Sequence, residues 1–484
     1  MQYEPTRDSI DSHEVPQWYN DAKFGIFIHW TPSCIPAFAP RDKGSIIDII
    51  KNYGIKAAMS NQPYSEWYLN SIRIKGSPAY LHHIKTYGEG YDYYNFADDF
   101  NRALPQWNPN EWADLFESVG AKYVVLVTKH HDGFLLWPSR HLNPMKPELH
   151  ASRNVVGELT EAVKGRGMRM GFYYSSPYDW TFTSKPIRDF VDGAVIVPTD
   201  EKYLKYIDAH WRELIDDYEP SLLWNDIGYP QGPDLNKLFS YFYNRIPEGV
   251  VNDRWAQYPM WARRLIASPL VRPFMNRLMA SMFAKGVTSS AKIHSDYVTP
   301  EYTTFQNVQE KKWECVRGMG TSFGYNREEL PGDFITVPEL IHLLIDVVSK
   351  NGNLLLNVGP MPGGRIPQVQ VDILKGLGTW LEINGEAVFG TRPWSRAEGA
   401  TLEGLDVRFT QKEGVLFAAV MGTSQGRTIT ISSLTARSGA KVELLGMSGH
   451  LDWIQRDQAI EVRLPEPLQE QPAHVLKINP APVP

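Results

Sequence analysis

The chain has 484 residues, 43% hydrophobic and 21% charged, with a formal net charge of −6, so it reads as an ordinary globular protein with room for one large domain and a smaller one. A core of that size needs no disulfide staples, and the mild acidic balance excludes a general affinity for nucleic acid. No apolar run approaches the ~18 residues that span a bilayer, and the start, MQYEPTRDSIDSHEVPQWYN, lacks the basic-then-apolar pattern of a signal peptide, so the cytoplasm is the expected compartment.

Short apolar runs rich in β-branched and aromatic residues recur along the chain: FGIFIHW (24–30), KYVVLVTKHHDG (122–133), MRMGFYYSS (168–176), SLLWND (221–226), GVVNDR (249–254) and GNLLLNVGP (352–360). Unbroken runs of this kind suit parallel strands buried on both faces. Helical patterns separate them at 110–121, 154–167, 202–218 and 338–350. This alternation predicts a parallel α/β fold. Polar residues that could do chemistry (His29, His130, His131, Tyr173, Asp226 and Arg254) end several different runs, and no glycine-rich phosphate loop follows the first. A closed barrel gathers all its strand ends at one mouth, so a (β/α)8-like TIM barrel is expected in preference to an open sheet.

Between 255 and 295 there is no acidic residue, but there are Arg263, Arg264, Arg272, Arg277, Lys285 and Lys292 among many Met, Leu and Phe. Trp261, Leu265, Leu270, Phe274, Met275, Leu278, Met279, Met282 and Phe283 are too apolar for a solvated loop. The stretch is expected to be an insertion at about 256–293 that covers the rim of the barrel mouth, as a lid or a subunit contact in a homo-oligomer. A membrane-surface helix ranks lower, because Pro259, Pro269 and Pro273 break any long amphipathic helix. After a helix around 373–383 and a linker at 390–393, strand and turn alternate at 405–422, 427–432, 440–446, 459–465 and 473–478. These predict a C-terminal antiparallel β-sandwich over 391–484, following a catalytic barrel over 1–390.

Asp226 ends a very apolar run, where a barrel exposes catalytic groups, and cleavage of a glycosidic bond needs two carboxyl groups. Glu66, Glu301 and Glu314 are candidates for the second, and spacing does not choose among them. His130 and His131 lie beside Asp132 and prompt a metal site, yet the alternate His-x-His of metal-dependent barrels is absent. Neighbouring residues point to opposite faces of a strand, so at most one histidine of the pair is expected to face the mouth. Hydrogen bonding to sugar hydroxyls explains the histidines better. Cys34 and Cys315 have no metal-ligand spacing around them and are expected as free, buried thiols.

Taken in order, FGIFIHW, SEWY (65–68), YDYYNFADDF (91–100), AKYVVLVTKHHDGFLLWPS (121–139), GFYYSSPYDW (171–180), LLWND, VNDRW (251–255), RGMGTSFGYN (317–326) and GNLLLNVGP resemble the α-L-fucosidases of glycoside hydrolase family 29 over about 18–393. The resemblance implies retaining hydrolysis of terminal α-L-fucosides on a fucosylated glycan, without cofactor or metal. It implies Asp226 as nucleophile, and Trp224 beside it as pocket wall. His29, Glu66, Trp67, His130, His131 and Tyr173 match positions lining the sugar pocket, and Arg254 matches an arginine near the nucleophile. It selects Glu301, in PEY, as acid/base, with Glu66 as runner-up. Two rival readings are a metal-dependent barrel hydrolase using His29, His130, His131 and Asp226, and a non-catalytic fucose-binding protein.

Overall fold

The computed structural model describes residues 2–284 and 293–482. Among them, seven parallel strands form a curled sheet: β1 (Phe24–Ile28), β2 (Tyr123–Lys129), β3 (Arg169–Tyr174), β4 (Leu222–Asn225), β5 (Val250–Val251), β6 (Trp313–Gly318) and β7 (Gly352–Val358). Their order is β5-β4-β3-β2-β1-β7-β6. Alternate residues split between two cores, as the strand period requires. Phe27, Val125, Tyr173, Trp224, Val316 and Leu355 fill the interior. Ile26, Leu126, Phe172, Leu223, Cys315 and Leu356 face outward onto helices. Cys34 and Cys315 are both free and buried, as expected.

The gap between β5 and β6 is filled by an irregular stretch. On one side Asp296 N donates to Val251 O at 3.0 Å, and Asp296 Oδ2 accepts from Val251 N at 2.7 Å. On the other, Val298 N donates to Lys312 O, Glu314 N to Val298 O, and Val316 N to Pro300 O, at 2.8 to 3.1 Å. Residues 296–301 thus serve as the eighth stave and complete the (β/α)8-like barrel. Proline at 300 and the left-handed backbone of Tyr302 (φ 51°) keep them from being a regular strand.

Outer helices include Pro109–Ser118, Val155–Lys164, Glu201–Tyr218 and Val337–Ser349. Asn108, Asn154, Asp200 and Thr336 cap their N-termini by accepting backbone N–H groups. No described helix is long and apolar enough to cross a membrane.

Glu314 lies inside the barrel with no solvent exposure and accepts from Tyr19 Oη (2.9 Å), Tyr123 Oη (2.6 Å) and Trp224 Nε1 (3.1 Å). Burial pushes its carboxyl up to about 7. Gly25 makes room for this cluster, since a Cβ there would come within 2.4 Å of the Tyr123 ring. Glu314 therefore braces the barrel beneath Trp224 and does not reach the mouth. Glu314→Ala, which strands three buried donors and opens a cavity, is expected to cost about 3–5 kcal/mol, read as a lower denaturation midpoint at unchanged m-value.

The remaining strands are antiparallel. β8 (Arg392–Ala400), β9 (Asp406–Lys412), β10 (Val415–Met421), β12 (Lys441–Leu444) and β15 (Ala473–Asn479) make a five-stranded sheet. β11 (Thr428–Ile431), β13 (Asp452–Arg456) and β14 (Ala459–Arg463) make a three-stranded one. Leu416, Ala418 and Leu476 meet Ile429, Ile460 and Val462 between the sheets, which is the expected sandwich. The other face of the larger sheet, with Phe417, Ala419, Ala473 and Val475, joins the barrel's outer core. Polar bonds fasten the contact: Trp380 Nε1 donates to Ala473 O (3.0 Å) and Arg408 Nε to Asp346 (2.7 Å).

The basic apolar insertion forms two helices, Met260–Ala267 and Arg272–Ala284, with Pro259, Pro269 and Pro273 at or just beyond their ends. Lys285 and Lys292, and the Phe283 side chain, lie outside the described residues. The hairpin packs on helix Phe190–Ile196, from the loop after β3, and on helix Ile46–Tyr53, from the loop after β1. Its apolar side chains bury only in part within the chain: Met275 and Met279 are half-buried, while Trp261, Leu265, Leu270, Phe274, Leu278 and Met282 are exposed. Polar anchors hold the inner face. Buried Arg263 donates to Val197 O, Arg272 pairs with Asp189 and Asp192, and buried Asn276 accepts from Val191 N.

Candidate active site

The alternation that turns Leu222 and Trp224 into the barrel also turns Asp226, two residues on, toward its axis at the C-terminal mouth. Asp226 Oδ2 accepts from Tyr173 Oη at 2.9 Å, and Oδ1 accepts from Arg254 Nη1 at 2.9 Å. The guanidinium is aimed by the neighbouring stave: its Nε donates to Thr299 Oγ1 and its Nη2 to Thr299 O. Thr299 in turn donates through N and Oγ1 to Asp253 Oδ1. Arg254 lies 4.7 Å over the Trp224 ring, which stacks beneath Tyr173. Trp224 is thus a floor under the site.

Glu301 sits on the irregular stave. Its Oε2 accepts from Arg254 Nη1 (3.3 Å) and Nη2 (3.2 Å), and its Oε1 from Tyr64 Oη (3.0 Å). One guanidinium therefore spans both carboxyl groups. Burial raises the Glu301 carboxyl above the ordinary range; Arg254 and the Tyr64 hydroxyl pull it down, while the charge of Asp226 pushes it up. Tyr64→Phe removes a donor that favours the ionised form, so the Glu301 carboxyl should titrate at higher pH in an NMR titration of its carboxyl carbon. An unchanged titration would detach Tyr64 from this carboxyl.

Glu66 is buried deeper, with its Oε2 accepting from Gly324 N (2.8 Å) and Ser322 Oγ (3.4 Å). Burial holds it at about 7, and the Glu301 charge adds to the rise. His29 Nδ1 bonds Asn357 Oδ1 at 2.6 Å, and burial takes its pKa down to about 4. Burial also lowers His130 and His131 well below the usual histidine range, so all three rings are neutral near pH 7.

The rings of His130 and His131 lie side by side, 4.0 Å apart, contrary to the expectation that they point opposite ways. β2 ends at Lys129, so strand alternation no longer governs the turn that follows. His130 stacks over Tyr173 at 5.8 Å; His131 Nδ1 bonds Ser175 Oγ at 2.6 Å, and its ring meets Trp67 at 5.1 Å. His130 Nδ1 and His131 Nε2 are buried without a partner among the described residues.

Asp226, Glu301, Arg254, Tyr173, His29, His130, His131, Trp67 and Glu66 thus surround one mouth, Trp224 underlies it, and Glu314 stays below. Sequence reasoning passed over Tyr64, Thr299, Asn357 and Ser175, which orient the residues it did pick. Asn357 could have been found from its parity with Leu355 on β7, and Tyr64 from its place beside SEWY.

A divalent cation on Asp226 would meet the guanidinium already bonded there, so this donor set does not fit the metal-hydrolase alternative. Among the described residues, the one group with ligand atoms close enough for a metal lies elsewhere: His13, His294 and Asp296. Its ring nitrogens and Asp296 oxygens are already taken by one another, Pro247 O, Asp11, Tyr243 and Val251 N.

A carboxylate paired with arginine, facing a carboxyl that burial drives toward its protonated form, supplies what glycosidic cleavage requires, and a barrel presenting them at its mouth is a glycoside hydrolase. The family model for α-L-fucosidase matches residues 1–386, and that for the α-L-fucosidase C-terminal domain matches 403–479. The α-L-fucosidase of Dictyostelium discoideum is 31% identical over 478 residues, covering 96% of this chain and 89% of that protein. Human tissue α-L-fucosidase is 30% identical over 480 residues, covering 96% and 88%. The crystal structure of Thermotoga maritima α-fucosidase in complex with a mechanism-based inhibitor superposes with a TM-score of 0.83 at 38% identity, covering 98% of this chain and 99% of that one. The chain belongs to the α-L-fucosidase family.

Proposed function

We propose that the protein is an exo-acting enzyme that removes terminal α-L-fucose from a fucosylated glycan with retention, using Asp226 as nucleophile and Glu301 as acid/base. Glu301 protonates the glycosidic oxygen as Asp226 attacks the anomeric carbon, giving a β-linked fucosyl-enzyme and free aglycone. Glu301, now ionised, takes a proton from water, which displaces Asp226 and releases α-fucose. His29, His130, His131, Glu66 and Tyr173 bind hydroxyls of the sugar, and Trp67 lines the pocket. Structures of the Thermotoga maritima enzyme with fucose and with a mechanism-based inhibitor support this reading.

The observation that carries it is Arg254 Nη1, 2.9 Å from Asp226 and 3.3 Å from Glu301. Two oxygens on one nitrogen favour the short carboxyl separation of retaining enzymes, about 5–5.5 Å, over the about 6.5–9.5 Å of inverting ones. An NMR time course on an aryl α-L-fucoside tests it. The α-anomer is expected first, before mutarotation, and β-fucose first would overturn retention. Residues 1–390 are taken as the catalytic unit and 391–484 as its buttress, supported by the five-stranded sheet whose inner face packs on the barrel.

A further inference from the structure

The hairpin at 260–284 leaves far more apolar surface uncovered than an ordinary surface helix pair. Its polar side chains Arg263 and Asn276 are buried, at 3% and 8% exposure, while Trp261 is 69%, Phe274 67% and Leu270, at the turn, 93% exposed. Leu265, Leu278 and Met282, at helical spacing from these, are exposed as well. Monomeric proteins rarely leave this many large apolar side chains uncovered on one short segment without a use for them.

The unpaired charges that the hairpin itself exposes are of one sign. Arg264 and Arg277 are its exposed ionic groups, and no acidic residue occurs between 255 and 295, although the whole chain carries −6. A two-fold contact with a second copy would set arginines against arginines with no carboxylate on the patch to answer them. An anionic lipid surface answers both features. Headgroups meet the arginines, the acyl boundary takes Trp261, Leu270 and Phe274, and the acidic remainder of the protein is turned away. The prolines, which argue against one long helix, end two short ones that can lie flat with Leu270 as the wedge.

We propose that this hairpin docks the protein on an anionic phospholipid bilayer. Because the hairpin is carried by loops after β1, β3 and β5, the docked protein has the mouth of its barrel beside the lipid headgroups.

The test is co-sedimentation of the full chain with vesicles of phosphatidylglycerol and phosphatidylcholine in equal parts, and of phosphatidylcholine alone. Binding to the anionic vesicles is expected to be about ten-fold or more tighter, from two arginines near a charged surface, and to weaken with salt. L270D/F274D should abolish it, and R264E/R277E should remove the lipid-charge preference. Both should leave hydrolysis of a small aryl fucoside within about two-fold, which shows the variants folded. No sedimentation of the wild type with anionic vesicles overturns the proposal, as does binding that L270D/F274D does not reduce. Absence of vesicle binding together with a two-chain mass that L270D/F274D halves in analytical ultracentrifugation would give the patch to a second copy instead.

Discussion

Asp226→Ala is expected to lower turnover of an aryl α-L-fucoside by about three to five orders of magnitude with the fold intact, because no other carboxylate described at the mouth shares its contact with both Tyr173 and Arg254. Azide should restore part of the rate by entering the vacated space. It then attacks from the side Asp226 occupied, so the rescued product is β-fucosyl azide. The Asp226 charge also raises the Glu301 carboxyl, so with a fucoside whose poor leaving group needs a proton the rescued reaction should have its alkaline limb at lower pH than the wild type. Near-normal turnover in Asp226→Asn would remove the residue from the mechanism.

Glu301→Ala should separate substrates by leaving group. With a good aryl leaving group the first step needs no proton, and kcat/KM should fall by less than about ten-fold; with a glycan it should fall by about two to four orders of magnitude. Azide now intercepts the fucosyl-enzyme and needs no general base, so the rescued product is α-fucosyl azide, opposite in configuration to that from Asp226→Ala. Glu66→Ala should weaken both substrates alike, since Glu66 is held by Gly324 N and Ser322 and not by Arg254. If Glu66→Ala instead gave the leaving-group split and α-azide rescue, the acid/base role would pass to it.

The strands that were legible are those whose two faces are both apolar. Phe27 and Ile26, or Val125 and Leu126, bury to opposite sides of one sheet and so give an unbroken run. β6 was missed because WECVRG interrupts that run with Glu314 and Arg317. Glu314 is tolerable there only because three donors meet it, and those donors lie on remote elements. The eighth stave was invisible for a different reason: it contains Pro300 and joins its neighbours through a few bridges, so it carries no strand pattern. Asp226 stood out by following LLWN. Glu301 could not be separated from Glu66 by spacing, because what distinguishes them is Tyr64 and Arg254, 237 and 47 residues away. That the hairpin carries more apolar surface than a solvated loop was legible, but its exposed side was not, because composition reports how apolar a segment is and not which side of it the fold leaves uncovered.

The stave that carries Glu301 is tied to β5 through Asp296 and to β6 through Val298 and Pro300, independently of what precedes it. The chain between Ala256 and His294 is therefore a loop whose two ends are already fixed in place. Lengthening such a loop costs only conformational entropy that grows with the logarithm of its length, about 1 kcal/mol for two doublings. Glu301 thus keeps its position whatever is spliced in ahead of it. This strand-end gap can accept or discard a surface module at little thermodynamic cost, and the chemistry at the mouth need not be rebuilt each time.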